Sequence, residues 1–212
     1  MIPYVGNDIV DFSAPGAVGK HCDERFLARV FTGYERRLIE DNHDPDRMLW
    51  TLWACKETAY KAVVKFHRRI SWAPARYKVH IEEAGSRRTV GGVVDTPAGN
   101  ILVEAGIEGD SVHCIGTSGT LCDLKSIVLD VKRLIRNGSV PPDLSKEARA
   151  LIVECLASHG AGGKGSIEIL RPRGPEGLNP PIVSIDGRIA PIDISLSHDG
   201  MYVACAFIVH RH

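Results

Sequence analysis

The chain has no excess of charge of either sign: 26 lysines and arginines balance 26 aspartates and glutamates over 212 residues. That balance excludes a protein held to nucleic acid or to an anionic membrane by its overall field, so any polyanion site must be local. No apolar run approaches the roughly 18 residues of a membrane-spanning helix, which argues against a membrane protein. The opening residues show no secretory-signal pattern, and a cytoplasmic location is expected. Six cysteines (Cys22, Cys55, Cys114, Cys122, Cys155 and Cys205) are scattered without a Cys-x-x-Cys pair, so reduced core thiols are expected rather than a disulfide framework. A nucleotide loop of the Gly-Lys-Ser/Thr kind is missing as well. Gly160-Ala161-Gly162-Gly163-Lys164-Gly165-Ser166 has the glycines and a lysine, but the order fails and a strand follows where a helix is required. Asn137-Gly138-Ser139 has the form of a glycosylation sequon and, without a secretory signal, reads as a turn.

What is present is enough apolar material, 44% of residues, to bury a full-sized core as one domain or two small packed halves. Residues 21–31 read as a helix through Phe26, Leu27, Val30 and Phe31. Thr32-Gly33-Tyr34-Glu35 has the capping-box pattern and starts another. Asp44-Pro45 pairs an N-cap with proline at the first helical position. In the helix it launches, Leu49, Leu52, Trp53, Tyr60, Val63 and Val64 form one stripe. Lys56 projects from the middle of that stripe, four residues from both Leu52 and Tyr60, and Glu57 and Lys61 stack along its edge. Such charges are either those of an amphipathic core helix, with snorkelling lysines and an i,i+4 ion pair, or groups bound to something, because an unpaired buried charge is costly.

Strands follow. Residues 77–81, 89–94, 101–105 and 111–115 form a predicted β meander, with a small-residue linker near Gly116-Thr117-Ser118-Gly119. Residues 123–136 and 145–158 read as helices, 166–170 as a strand, and 171–181 as a Pro/Gly/Arg loop. Two apolar segments, 182–185 and 192–196, lead to Ser197-His198-Asp199-Gly200 and a last strand over 201–209. The expectation is an α+β fold built as a pseudo-dimer of two similar halves, 1–119 and 120–212, each with helices packed on an antiparallel meander. Asp8, in the strand-like segment 4–10, stands among apolar residues where aspartate is depleted. Taken alone it is a turn cap or a solvent-facing residue, as His198 alone is a turn histidine.

Taken together, Gly6-Asn7-Asp8, Trp53-Ala54-Cys55-Lys56-Glu57-Thr58-Ala59-Tyr60-Lys61 and Ser197-His198 before Tyr202-Val203-Ala204-Cys205-Ala206 resemble the phosphopantetheinyl transferase superfamily. The motif order is that of the short holo-acyl-carrier-protein synthase type. The length is that of the long, surfactin-synthetase-activating type, with its halves exchanged. The resemblance implies Mg²⁺-dependent transfer of 4′-phosphopantetheine from coenzyme A to a serine of an acyl or peptidyl carrier protein, by a monomeric pseudo-dimer. It implies Asp8 and Glu57 as metal ligands, Glu57 and Lys61 as catalytic groups, and Lys56, Lys61, Arg149, Ser197 and His198 as contacts to coenzyme A. Two departures stand out: Val10 replaces a third acidic residue, with Asp11 on the opposite strand face, and Gly177-Leu178-Asn179-Pro180 replaces the usual Gly-Lys-Pro of the adenine pocket. They leave open a member that binds coenzyme A or a carrier without transfer, and a different Mg²⁺-dependent phosphoryl or nucleotidyl enzyme.

Overall fold

The computed structural model describes residues 3–82, 89–135, 141–174 and 177–210. The sequon at 137–139 and two residues of the 171–181 loop lie outside them. In chain order the elements are β1 (Val5–Asp11), α1 (Glu24–Val30), α2 (Gly33–Glu40), α3 (Pro45–Phe66), β2 (Lys78–Glu82), β3 (Thr89–Thr96), β4 (Gly99–Glu108) and β5 (Ser111–Thr117). There follow α4 (Leu121–Lys125), β6 (Val128–Arg133), α5 (Leu144–Ser158), β7 (Ile167–Leu170), β8 (Arg173–Gly174), β9 (Gly177–Leu178), β10 (Ile182–Ile185), β11 (Arg188–Asp199) and β12 (Tyr202–Val209).

Two antiparallel five-stranded sheets result, in the orders β1-β5-β4-β3-β2 and β6-β12-β11-β10-β7. These orders are the same topology traced twice, with β1 matched by β6, β2 by β7 and the following three-strand meander by β10, β11 and β12. The β8–β9 hairpin is inserted in the second copy. Helix α3 packs on β1, β5 and β4, and α5 packs on β12 and β11. Each helix closes its own apolar core. The mixed α and β architecture and its repeated half are thus as the strand and helix patterns predict.

Two readings differ. Ser197 and His198 lie within β11, paired with Ala204 and Val203 of β12, rather than in the turn that follows. Of the helix expected over 123–136, the described residues 126–135 are not helical: α4 stops after Lys125, and the chain turns into β6, which pairs with β12. Leu124, Ile127 and Leu134, all buried, are spaced like a helical stripe. Pairing along the otherwise open edge of β12 satisfies the backbone of 128–133 and overrides that local pattern.

The caps behave as the sequence indicates. Asp44 accepts the Arg47 N–H at 3.1 Å, and Thr32 and Glu35 form the full capping box. Gly6 and Gly116, opposite each other on β1 and β5, let α3 lie against the sheet. A Cβ on Gly6 would overlap the Thr58 carbonyl oxygen, and one on Gly116 would crowd the Thr58 methyl. Glycine is needed here for close approach rather than for unusual φ. All six cysteines are free thiols, with Cys55, Cys114, Cys155 and Cys205 buried and Cys22 and Cys122 exposed. No helix among the described residues is long and apolar enough to cross a membrane.

Candidate active site

The tight seat of Thr58 on β1 and β5 brings its neighbours Glu57 and Lys61 to Asp8. Lys61 Nζ donates to Asp8 Oδ1 at 2.7 Å, to the Asn7 carbonyl at 3.0 Å and to Ser197 Oγ at 3.2 Å. Ser197 in turn donates to the same Asp8 oxygen at 2.8 Å and accepts the Ile9 N–H at 3.1 Å. Asp8 and Ser197 are buried. Three groups expected from separate motifs therefore form one network, 189 residues apart in the chain at its widest.

Glu57 makes no hydrogen bond or ion pair among the described residues. Its carboxyl is raised from 4.5 to about 7, first by burial and then by the negative charge of Asp8, with Lys61 opposing. Two cavities meet at this residue and at His198. The larger, about 340 Å³, is also lined by Lys61, Arg149, Arg171, Leu178 and Pro180. The smaller, about 290 Å³, is lined by Asp8, Val10, Asp199 and an aromatic floor of Phe26, Trp50 and Trp53. His198 is exposed between them. Arg149, near the start of α5, is exposed as well, and its Nη1 donates back to the Ser145 carbonyl at 3.2 Å. The cleft is accordingly divided: cationic groups lie toward the second half, and carboxylates lie toward β1.

Lys56 is not brought to this cleft, contrary to its expected contact with coenzyme A. Its side chain is fully buried on the far side of α3. Its Nζ donates to both Glu35 oxygens at 2.7 and 2.9 Å, to the Pro74 carbonyl at 3.2 Å and to the Tyr77 carbonyl. Glu35 also accepts the N–H groups of Thr32 and Val79, each at 2.7 Å. Burial pushes the Lys56 ammonium below its ordinary value while the Glu35 charge pushes it up. With every proton engaged, Lys56 is the anchor of α3 against α2 and the start of β2. The partner was visible in the sequence only as the glutamate of a capping box.

Lys65, not anticipated as a site-wall residue, continues the spacing from Lys61 and is similarly engaged. It donates to Asp193 at 2.8 Å and to the carbonyls of Val5 and Ile194. Val10 is buried and Asp11 is turned into a structural role, accepting from Ser13 and from the Met201 N–H at 2.9 Å. Asp199 is the acidic residue that sequence reasoning missed on this face. Burial raises its carboxyl, the Asp11 N–H bond lowers it, and the charges of Asp8 and Asp11 raise it further. Lys164 pairs with Glu154 at 3.3 Å and does not line either cavity.

No group of three or more His, Cys, Asp or Glu side chains placed to hold a metal ion occurs among the described residues. The donor chemistry of Asp8 and Glu57 nevertheless fits a hard divalent cation. They are two carboxylates, of which Glu57 is raised by burial and then by the charge of Asp8, and Mg²⁺ is commonly held by one or two carboxylates with substrate phosphates and waters completing its oxygens.

Residues 4–92 match the family model of the 4′-phosphopantetheinyl transferase superfamily. The match takes in Asp8, Glu57 and Lys61 and ends before Arg149, Ser197 and His198, covering less than half of the chain. Among curated proteins, none matches the chain.

Proposed function

We propose that this chain, which carries a 4′-phosphopantetheinyl transferase superfamily domain over residues 4–92, transfers phosphopantetheine from coenzyme A to a serine of an acyl or peptidyl carrier protein. The observation that carries this reading is the convergence of Asp8, Glu57 and Lys61 from residues 1–119 with Arg149, Ser197 and His198 from residues 120–212 on one cleft. A monomer acting in the cytoplasm, with the two halves supplying opposite walls, follows from the same reading.

The cationic cavity suits the nucleotide end of coenzyme A. Arg149 is free to reach a phosphate from α5, and His198 and Lys61 flank the diphosphate at the junction of the cavities. Leu178 and Pro180 give that cavity an apolar wall for the base. Asp8 and Glu57 would hold Mg²⁺, whose charge when bound neutralises the diphosphate and favours departure of adenosine 3′,5′-bisphosphate. Glu57, which makes no hydrogen bond of its own among the described residues, would be the base that takes the proton of the carrier serine. Lys61 holds Asp8 in place and adds positive charge where negative charge develops. Ser197 fixes the Asp8 carboxylate and leaves its other oxygen, Oδ2, available.

Incubation with coenzyme A, Mg²⁺ and apo-carrier proteins is expected to add the mass of phosphopantetheine to a carrier, and to stop doing so in Glu57→Ala and Asp8→Ala. Absence of any mass gain across acyl and peptidyl carriers would defeat the reading. Val10 in place of a third carboxylate favours a second reading, a member that binds coenzyme A without transfer. Tight coenzyme A binding with no turnover on any carrier would select it.

A further inference from the structure

β1 is an edge strand, paired with β5 on one side only. In an antiparallel pair, alternate N–H groups point away from the partner strand and must find acceptors elsewhere. Here the acceptors are side chains of β11, in the other half. The Val5 N–H donates to Asp193 Oδ2 at 2.6 Å and the Asn7 N–H to Ser195 Oγ at 3.0 Å. The Ile9 N–H donates to Ser197 Oγ at 3.1 Å and the Asp11 N–H to Asp199 Oδ2 at 2.9 Å. Each pair is separated by 188 residues, so the two strands advance together, one rung for every second residue, with the four acceptors on one face of β11.

The rungs are not interchangeable. At the first, Asp193 also receives Lys65 of α3, which bonds the Val5 carbonyl too. At the third, Ser197 also holds Asp8. At the fourth, Asp11 accepts the Met201 N–H from the turn after β11. A slip by one rung keeps the strand face but removes Asp193 from Lys65 and Ser197 from Asp8. Gly200 is required at that turn, since a Cβ there would overlap the Asp11 carboxylate.

We propose that Asp193 and Ser195 are positioning residues: by capping the edge of β1 they set its register on β11, and thereby seat Asp8 against Ser197 and Lys61. Ser195 borders the larger cavity, but its hydroxyl is taken by the Asn7 N–H, and the role assigned to it requires no contact with substrate. Its kinetic consequence rests on the transferase reading above, whereas the ladder itself does not.

The test uses the full chain with Ser195→Ala, Ser195→Thr and Asp193→Ala. Ala deletes the acceptor of the Asn7 N–H, while Thr keeps it. Residue-resolved amide hydrogen exchange is expected to show Asn7 and Ile9 exchanging about five- to tenfold faster in Ser195→Ala, as for loss of one hydrogen bond. Amides of β3 and β4 should be unchanged, and Ser195→Thr should restore protection. Unchanged exchange at Asn7, or a uniform rise across the whole first sheet, overturns the ladder. With a carrier that the wild type modifies, Ser195→Ala and Asp193→Ala should lower kcat several-fold while KM for coenzyme A stays within about twofold, and Ser195→Thr should recover kcat. An unaltered kcat alongside faster exchange overturns the positioning role. A wild type that modifies no carrier defeats the transferase reading instead, and the exchange result still decides the ladder.

Discussion

Replacing Glu57 with glutamine should stabilise the metal-free protein above neutral pH while abolishing transfer. In the folded chain the carboxyl is raised from 4.5 to about 7, so the fold favours its protonated form. Its contribution to stability is fully present below about 4.5 and is lost as pH rises through about 7. At about 1.4 kcal/mol for each tenfold change in proton affinity, ionising Glu57 costs the fold up to about 3 kcal/mol, and solvent access to the cleft lowers this to about 1–3 kcal/mol. Glutamine does not ionise. Urea unfolding of wild type and Glu57→Gln without divalent cations should therefore give similar stabilities at pH 4 and a gap of about 1–3 kcal/mol in favour of the variant at pH 8. For a chain of this size the gap corresponds to roughly 2–12 °C in Tm. Added Mg²⁺ should close it by stabilising only the wild type, by about 2.7 kcal/mol at a hundredfold excess over Kd. A variant less stable than wild type at pH 8, or a gap independent of pH, would refute the argument that burial and the Asp8 charge act on this carboxyl.

Three further outcomes follow from the geometry. Lys56→Met should destabilise by about 3–5 kcal/mol, because Glu35 is left buried without its countercharge; the double variant with Glu35→Gln should recover part of that loss, and equilibrium unfolding measures both. Gly6→Ala should cost about 1–3 kcal/mol by forcing α3 away from β1, and should lower kcat along with stability, since Glu57 and Lys61 travel with Thr58. Arg149→Ala should leave unfolding within about 0.5 kcal/mol and raise KM for coenzyme A about tenfold, as for a lost charge-assisted phosphate contact, which steady-state kinetics at fixed ionic strength would detect.

Much of this protein is legible in its sequence because the relevant physics is local. The capping box at Thr32–Glu35, the Asp44-Pro45 start of α3 and the alternation of the meanders each depend on neighbours a few residues away, and each forms as the pattern indicates. The placement of Glu57 and Lys61 on the edge of one helix is equally local. The repeated order of strands supports the expectation of two similar halves, although the segment 123–136 shows how a helix-like spacing yields to an unpaired sheet edge that only the assembled fold provides.

The sequence alone determined that a lysine would sit at the centre of the apolar stripe of α3 and that it would need a partner. Tertiary structure decided which partner. Lys56 and Lys61 are chemically identical and five residues apart, yet one is closed inside the core by Glu35 and two carbonyls and the other reaches the cleft through Asp8 and Ser197. Helical spacing specifies the direction in which a side chain leaves its helix. It does not specify what the other half of the chain brings to meet it, because that depends on the register of β1 on β11, set by contacts 188 residues apart.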